Sequence, residues 1–203
     1  MKYSLIALGA FAFFLAACSS SDSGSGKKLV IMSSGKFQVD SKDDKIISFE
    51  PGNQHNEKEI NYSGDKVTVT VKSSQGDKTF ELTENGTYLL NLKVDTLIGS
   101  VVNFGTSGMP TSISTQQLEH IIDSTQQLMM GMNPSDADKT YFLAPNNVHR
   151  ISAITTARLI GPYNAIPYSV ESGPDGKAPE IYKFFTNKQK RESLIELIQR
   201  LNK

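Results

Sequence analysis

A chain of 203 residues with 21 Lys+Arg against 21 Asp+Glu carries no net charge. That balance produces no strong field toward polyanions, so no nucleic-acid partner is expected. With no Trp, three His and one Cys, the chain has little from which to build aromatic sugar platforms, cysteine-rich metal centres or a disulfide framework, and no cofactor is expected.

Lys2 places a positive charge at the extreme N-terminus, and Leu5 to Ala17 is an uncharged apolar run. At about 13 residues it suits the core of a secretory signal and falls short of the ~20 that span a bilayer. Residues 1–17 therefore read as a signal peptide, closed by the small residues Ala16 and Ala17. Leu15-Ala16-Ala17-Cys18 then resembles the lipobox of bacterial lipoproteins at every one of its four positions. The resemblance covers only the start of the chain. It implies cleavage before Cys18, diacylglycerol on the sulfur and an acyl chain on the new amino terminus. Two or more chains anchor stably, at ~0.8 kcal/mol per buried CH₂, so the first implied partner is a lipid bilayer, held through acylated Cys18. A mature chain of this kind keeps no thiol for catalysis, disulfides or metal. The alternative, a plain secretory signal, would leave a lone thiol in an oxidising compartment.

Residues 18–27 form a tether, Ser- and Gly-rich from Ser19 to Gly26. Such a segment is flexible and reaches at most ~28 Å when extended. Ser19, directly after the cysteine, is similar to the residue that sorts lipoproteins of two-membraned bacteria to the outer membrane. The sequence leaves open which face of that membrane the chain occupies.

From Lys28 to about 104 the apolar period is two, the mark of half-buried strands. In "KVTVTVK", Val67, Val69 and Val71 share one face. "KTFELT" puts Phe80 and Leu82 together, "ENGTYLLNLKV" aligns Tyr88, Leu90, Leu92 and Val94, and "LIGSVVNF" reads as a buried strand. "KLVIM", "GKFQV", "KIISF" and "EINY" are shorter candidates. Regular strand spacing suggests a β-sandwich or small barrel. Glu84-Asn85-Gly86-Thr87-Tyr88 resembles the tyrosine corner of immunoglobulin-like sandwiches; the other reading is an Asn-Gly hairpin turn.

The period changes after "FGTSGMP". Leu118, Ile121, Ile122, Thr125, Leu128, Met129 and Met132 recur at helical spacing, and Ser114 with Gln117 fits a capping box. A helix is predicted over about 115–131. "KTYFLAPNNVHRISAIT" reads as a hairpin turning at Pro145-Asn146-Asn147; "ARLIG", "AIPYSV" and "EIYKFF" are short strand-like runs. A second helix is predicted over about 187–202, with Thr186 and Gln189 as its capping box. The expected class is α+β: a β-sandwich-like half over 28–105 and an α+β half over 106–203. The sequence leaves open whether the halves share one core.

His55, Glu57 and Glu59 alternate along "HNEKE"; on a strand they share one face, and an imidazole with two carboxylates suits a divalent metal. A solvated strand edge is the plainer reading. Asp40, Asp43 and Asp44 lack calcium-loop spacing. Ser33 to Lys36 satisfies S-x-x-K, but the partner motifs are absent and a hairpin turn fits the context better. Met129, Met130 and Met132, with Lys188, Lys190 and Arg191, are candidates for a binding surface, the methionines through their adaptability and the cations through attraction to phosphate or headgroups. Buried stripe and solvated face are the competing readings. His120 and His149 have no elbow motif beside them.

No motif assembles an active site. The expectation is a membrane-anchored envelope lipoprotein acting as a non-enzymatic binding or accessory subunit, with an envelope protein or surface polymer as partner. One alternative is a lipid-anchored hydrolase of envelope or extracellular polymers, marked by a polar cleft holding His120 or His149 beside a Ser or carboxylate. Another is a lipoprotein that captures a metal or small ligand at His55, Glu57 and Glu59. An exposed apolar or Met-lined patch would favour the subunit.

Overall fold

A computed structural model of the chain describes residues 26–102, 114–168, 170 and 179–201. The signal peptide, Cys18, most of the tether, the "FGTSGMP" loop and the tip of the second helix lie outside the described residues. What is described is mostly sheet with two helices, an α+β arrangement.

Two strands carry the architecture. β1 (Lys27–Val39) pairs antiparallel with β2 (Ile46–Tyr62) and parallel with β5 (Gly86–Leu92). β3 (Val67–Ser73) adds in parallel to the start of β2, β4 (Lys78–Leu82) forms one edge, and β8 (Asn147–Ser152) pairs with β5 at the other. The six-stranded order is β4-β3-β2-β1-β5-β8. Period-two alternation divides β1 between two cores: Leu29 and Ile31 face one, Val30 and Met32 the other. The sheet curls in a barrel-like manner round the first core, with Ile47, Val69, Leu82 and Leu90 inside. Each fully buried side chain of this kind contributes ~1.5–3 kcal/mol.

The second core lies between this sheet and a smaller one. β6 (Leu97–Val101), β7 (Thr140–Leu143), β9 (Arg158–Ile160) and β10 (Ile181–Thr186) stand in the order β7-β6-β10-β9. Leu97, Tyr141, Leu159, Tyr182 and Phe184 pack there against Val30, Met32 and Leu89. β6 of the first half sits in the second sheet and β8 of the second half in the first, so the two halves interleave around one shared core.

Several local expectations need correction. "KLVIM" and "GKFQV" are one strand bent at a bulge between Ser34 and Gly35, so the S-x-x-K segment is not a hairpin turn. Gly35 has φ 122, and a Cβ there would lie 2.1 Å from the Glu50 carbonyl oxygen; only glycine fits. Residues 140–152 are not a hairpin either, because β7 and β8 belong to different sheets and the turn carries the chain between them. Nor is 84–88 a hairpin turn: β4 and β5 are not neighbours. The Tyr88 hydroxyl donates to the Glu84 carbonyl at 2.8 Å and accepts from its N–H at 3.0 Å, the closure that a tyrosine corner implies. Residues 165–168 form no strand.

α1 (Thr115–Met129) is closed by the Ser114–Gln117 capping box. α2 (Asn187–Leu201) follows β10 directly, and Thr186 and Gln189 exchange the two reciprocal bonds of a second box. The Asn187 amide donates to the Met129 carbonyl at 3.4 Å. The start of α2 thus meets the end of α1. Only Ile122 of α1 and Leu194 of α2 are buried. No described helix is long and apolar enough to cross a membrane.

Candidate functional site

The chain enters the fold at one pole and displays its unusual side chains at the other. At the entry pole, Gly26 accepts from Gly86 N–H, and Lys27 stands opposite Tyr62 and Gly86. At the far pole Ser33 stands in register with Leu92, where the β1–β5 pairing ends; β1 itself runs on past the bulge to Val39. The rise per strand residue separates Lys27 from Ser33 by about 20 Å.

β5 ends at the far pole because Asn91 turns the chain. Its Oδ1 accepts from Lys93 N–H at 2.9 Å, and its Nδ2 donates to the Asp95 and Leu143 carbonyls at 3.0 and 2.9 Å. Val94, expected on the inward face with Leu92, is therefore 77% exposed, and Lys93 points inward instead. The Lys93 ammonium donates to the Ser33 carbonyl at 3.2 Å and lies 2.8 Å from His55 Nδ1. His55 Nε2 is 2.7 Å from Glu57 Oε1, and Asn164 donates to Glu57 Oε2 at 2.8 Å. An ammonium on one nitrogen and a carboxylate on the other assign the neutral tautomer with the proton on Nε2. Burial pushes the Lys93 ammonium below its ordinary value, and the Glu57 and Asp95 carboxylates oppose that push.

This relay holds the loop of residues 161–164 on the sheet. Tyr163 sits edge-on to His55, with ring centroids 4.8 Å apart, and the Lys93 ammonium is 5.3 Å from its centre. From the other side, Lys183 donates to the Gly161 and Asn164 carbonyls at 2.5 and 2.6 Å. Gln189 of α2 donates to the Pro162 carbonyl at 3.1 Å. The α2 terminus is also tied to the Val94 turn, since Asp95 Oδ2 accepts from Lys188 N–H at 3.1 Å. These contacts bring the loop, the Val94 turn and the α2 start to the same end of the fold. That end displays Tyr163 (63% exposed), Val94, Met130 (70%) and Met132 (46%), with Ile166 and Tyr168 further along the loop.

The sequence candidates divide accordingly. His55 and Glu57 are together in the relay, while Glu59 is exposed and acts electrostatically on Lys28. Both ring nitrogens of His55 are engaged within the protein, and among the described residues no group of three or more His, Cys, Asp or Glu side chains is placed to hold a metal ion. Met129 is half-buried, whereas Met130 and Met132 are on the surface. Lys188 and Arg191 are exposed; the Lys190 ammonium lies 4.5 Å from the centre of the Phe185 ring, a cation–π contact. Helix pairing brings the methionines and these cations to one pole. Lys93, Tyr163 and Asn164 carried no sequence signal of their own, Val94 read as an inward strand position, and Lys183 read as one of the cations at the start of the last helix.

The remaining polar clusters lie elsewhere. His149 Nε2 is 3.0 Å from Asp136 Oδ1 beside a groove of about 180 Å³ that Ser135 also lines. The Ser135 hydroxyl accepts from Asp138 N–H, and among the described residues no hydrogen bond joins it to His149. Glu180 accepts from Lys139, Ser152 and Tyr182 next to a groove of about 250 Å³. Burial raises its carboxyl pKa, but those hydrogen bonds outweigh burial and hold it below the ordinary value. Among the described residues His120 hydrogen-bonds only with Ser124, one turn along α1.

No family model, curated protein or solved structure matches the chain.

Proposed function

We propose that this chain is a bacterial lipoprotein, anchored to the outer membrane through acylated Cys18, that works as a non-enzymatic binding subunit. The observation that carries the reading is the exposure of Val94, Met130, Met132 and Tyr163 on segments that the start of α2 ties to one another through Asp95, Pro162 and Met129. Exposed Met and Tyr rimmed by Arg and Lys is the composition of a protein contact surface. The relay beneath holds the loop in one shape before a partner arrives, which lowers the ordering cost of binding.

The test is the size of the native particle extracted in mild detergent. A subunit runs as a complex, and a Tyr163→Ala, Met130→Ala double variant collapses it to the size of the single chain while remaining in the membrane fraction. If the wild-type protein already runs as a single chain after gentle crosslinking in intact cells, the reading fails.

A further inference from the structure

We infer that the partner at this pole is a protein segment carrying carboxylates beside apolar side chains, an inference that rests on the binding-subunit reading above. The charge balance points to it. The two acids beneath the loop, Asp95 and Glu57, are spent internally, and Glu192 alone faces the cations of the α2 start. Asp95 accepts from Thr96 N–H through Oδ1 and from Lys188 N–H through Oδ2. Both oxygens of Glu57 are taken by His55 and Asn164. The cations are not spent. Lys188 and Arg191 are exposed and form no ion pair among the described residues.

The first turn of α2 has no acidic residue, and Glu192 beyond it is exposed. That turn is also the positive end of the helix dipole, where basic side chains are unfavourable. Free in water, the pole holds like charges together; an acidic partner relieves this and is steered toward it. Val94, Met130, Met132 and Tyr163 then supply the apolar centre, with the cations at its rim.

A lipid surface shares the anionic and apolar chemistry, but the two unpaired cations here fall short of the roughly 4–8 Lys/Arg that a headgroup-binding cluster carries.

The experiment places a photo-crosslinking amino acid at Tyr163 of the full-length lipidated protein in intact cells, with a matched control at Asp65, an exposed position near the entry pole. Adducts are sequenced to the crosslinked segment. The expected result is a protein adduct on an acidic segment, absent at Asp65. Its yield should fall about tenfold when Lys188→Glu and Arg191→Glu are introduced, with thermal stability and membrane fractionation unchanged. A protein adduct indifferent to that charge reversal overturns the acidic partner and leaves the binding-subunit reading standing. An adduct on lipid alone replaces the partner with a membrane. If Tyr163 crosslinks no more than Asp65, both readings fall.

Discussion

Lys93 Nζ stands 2.8 Å from His55 Nδ1 inside a strand-end turn whose lysine is 4% exposed. A buried ammonium is costly unless its donors are met, and here they are met by an imidazole nitrogen and a strand carbonyl. The same clamp recurs. Lys27 donates to the Gly64 carbonyl, Lys28 to Ala157 and Lys183 to Gly161 and Asn164. In each case a buried lysine fastens a connecting segment to the sheet.

Replacing the clamp at the far pole measures what it holds. Lys93→Met keeps the aliphatic stem but leaves His55 Nδ1 without a donor and removes the cation facing Glu57. Urea unfolding should show a loss of about 1–3 kcal/mol. Lys93→Arg should not restore it, since a planar guanidinium does not replace a compact ammonium in a closed site. A loss below about 0.5 kcal/mol, the usual range of a surface change, would mean the relay contributes nothing.

Gly161 gives an independent test through a double-mutant cycle. A Cβ at Gly161 would lie 1.5 Å from Glu57 Oε1, so Gly161→Ala must expel that carboxylate from the relay. We expect Gly161→Ala to destabilise the wild type and to cost much less in a Glu57→Ala background, with a coupling of about 1 kcal/mol or more. Additive costs would show that the alanine acts through the backbone and not through Glu57.

The lysines also set an alkaline signature. Burial lowers the ammoniums of Lys28, Lys93, Lys183 and Lys190; carboxylates oppose it at the first three, while Arg158 adds to it at Lys28. Between those lowered values and the ordinary ~10.4, the unfolded chain binds more protons than the folded one, so stability rises with pH. The phenols have the opposite sign. Burial pushes Tyr141 up to about 12, and Tyr62 and Tyr182 are also raised. Above ~10 the folded state holds more protons, and stability falls as pH climbs. The urea midpoint should therefore rise with pH below ~10 and drop above it, with a shallower climb in Lys93→Met. A midpoint that falls steadily from pH 8 would count against this assignment of the lysines.

Much of the fold was readable because local chemistry decided it. Ser114 and Thr186 fix both helix starts through their own side chains, and the valines of β3 alternate because one face is buried. Readings failed where a distant segment decides. Nothing near residues 140–152 says that β7 and β8 choose partners in different sheets. Val94 continues the alternation of β5 but is turned outward by Asn91, whose amide reaches Leu143. At the candidate site, the approach of Asn187 to Met129 follows from helix pairing. The role of His55 depends on Lys93, 38 positions away, and on Asn164, 107 positions from Glu57. Sequence spacing placed His55 and Glu57 on one face but not the ammonium and loop that complete them.

The central claim is that the chain is held at one pole and engaged at the other. Methionine oxidation reads this directly, because thioether attack follows exposure. In the purified protein Met130 and Met132 should oxidise quickly and the fully buried Met32 slowly. In intact cells the account predicts that Met130 and Met132 are protected several-fold in the wild type, and that Cys18→Ser, which releases the anchor, restores their reactivity. Equal reactivity of Met130 in cells and in the purified protein would contradict it.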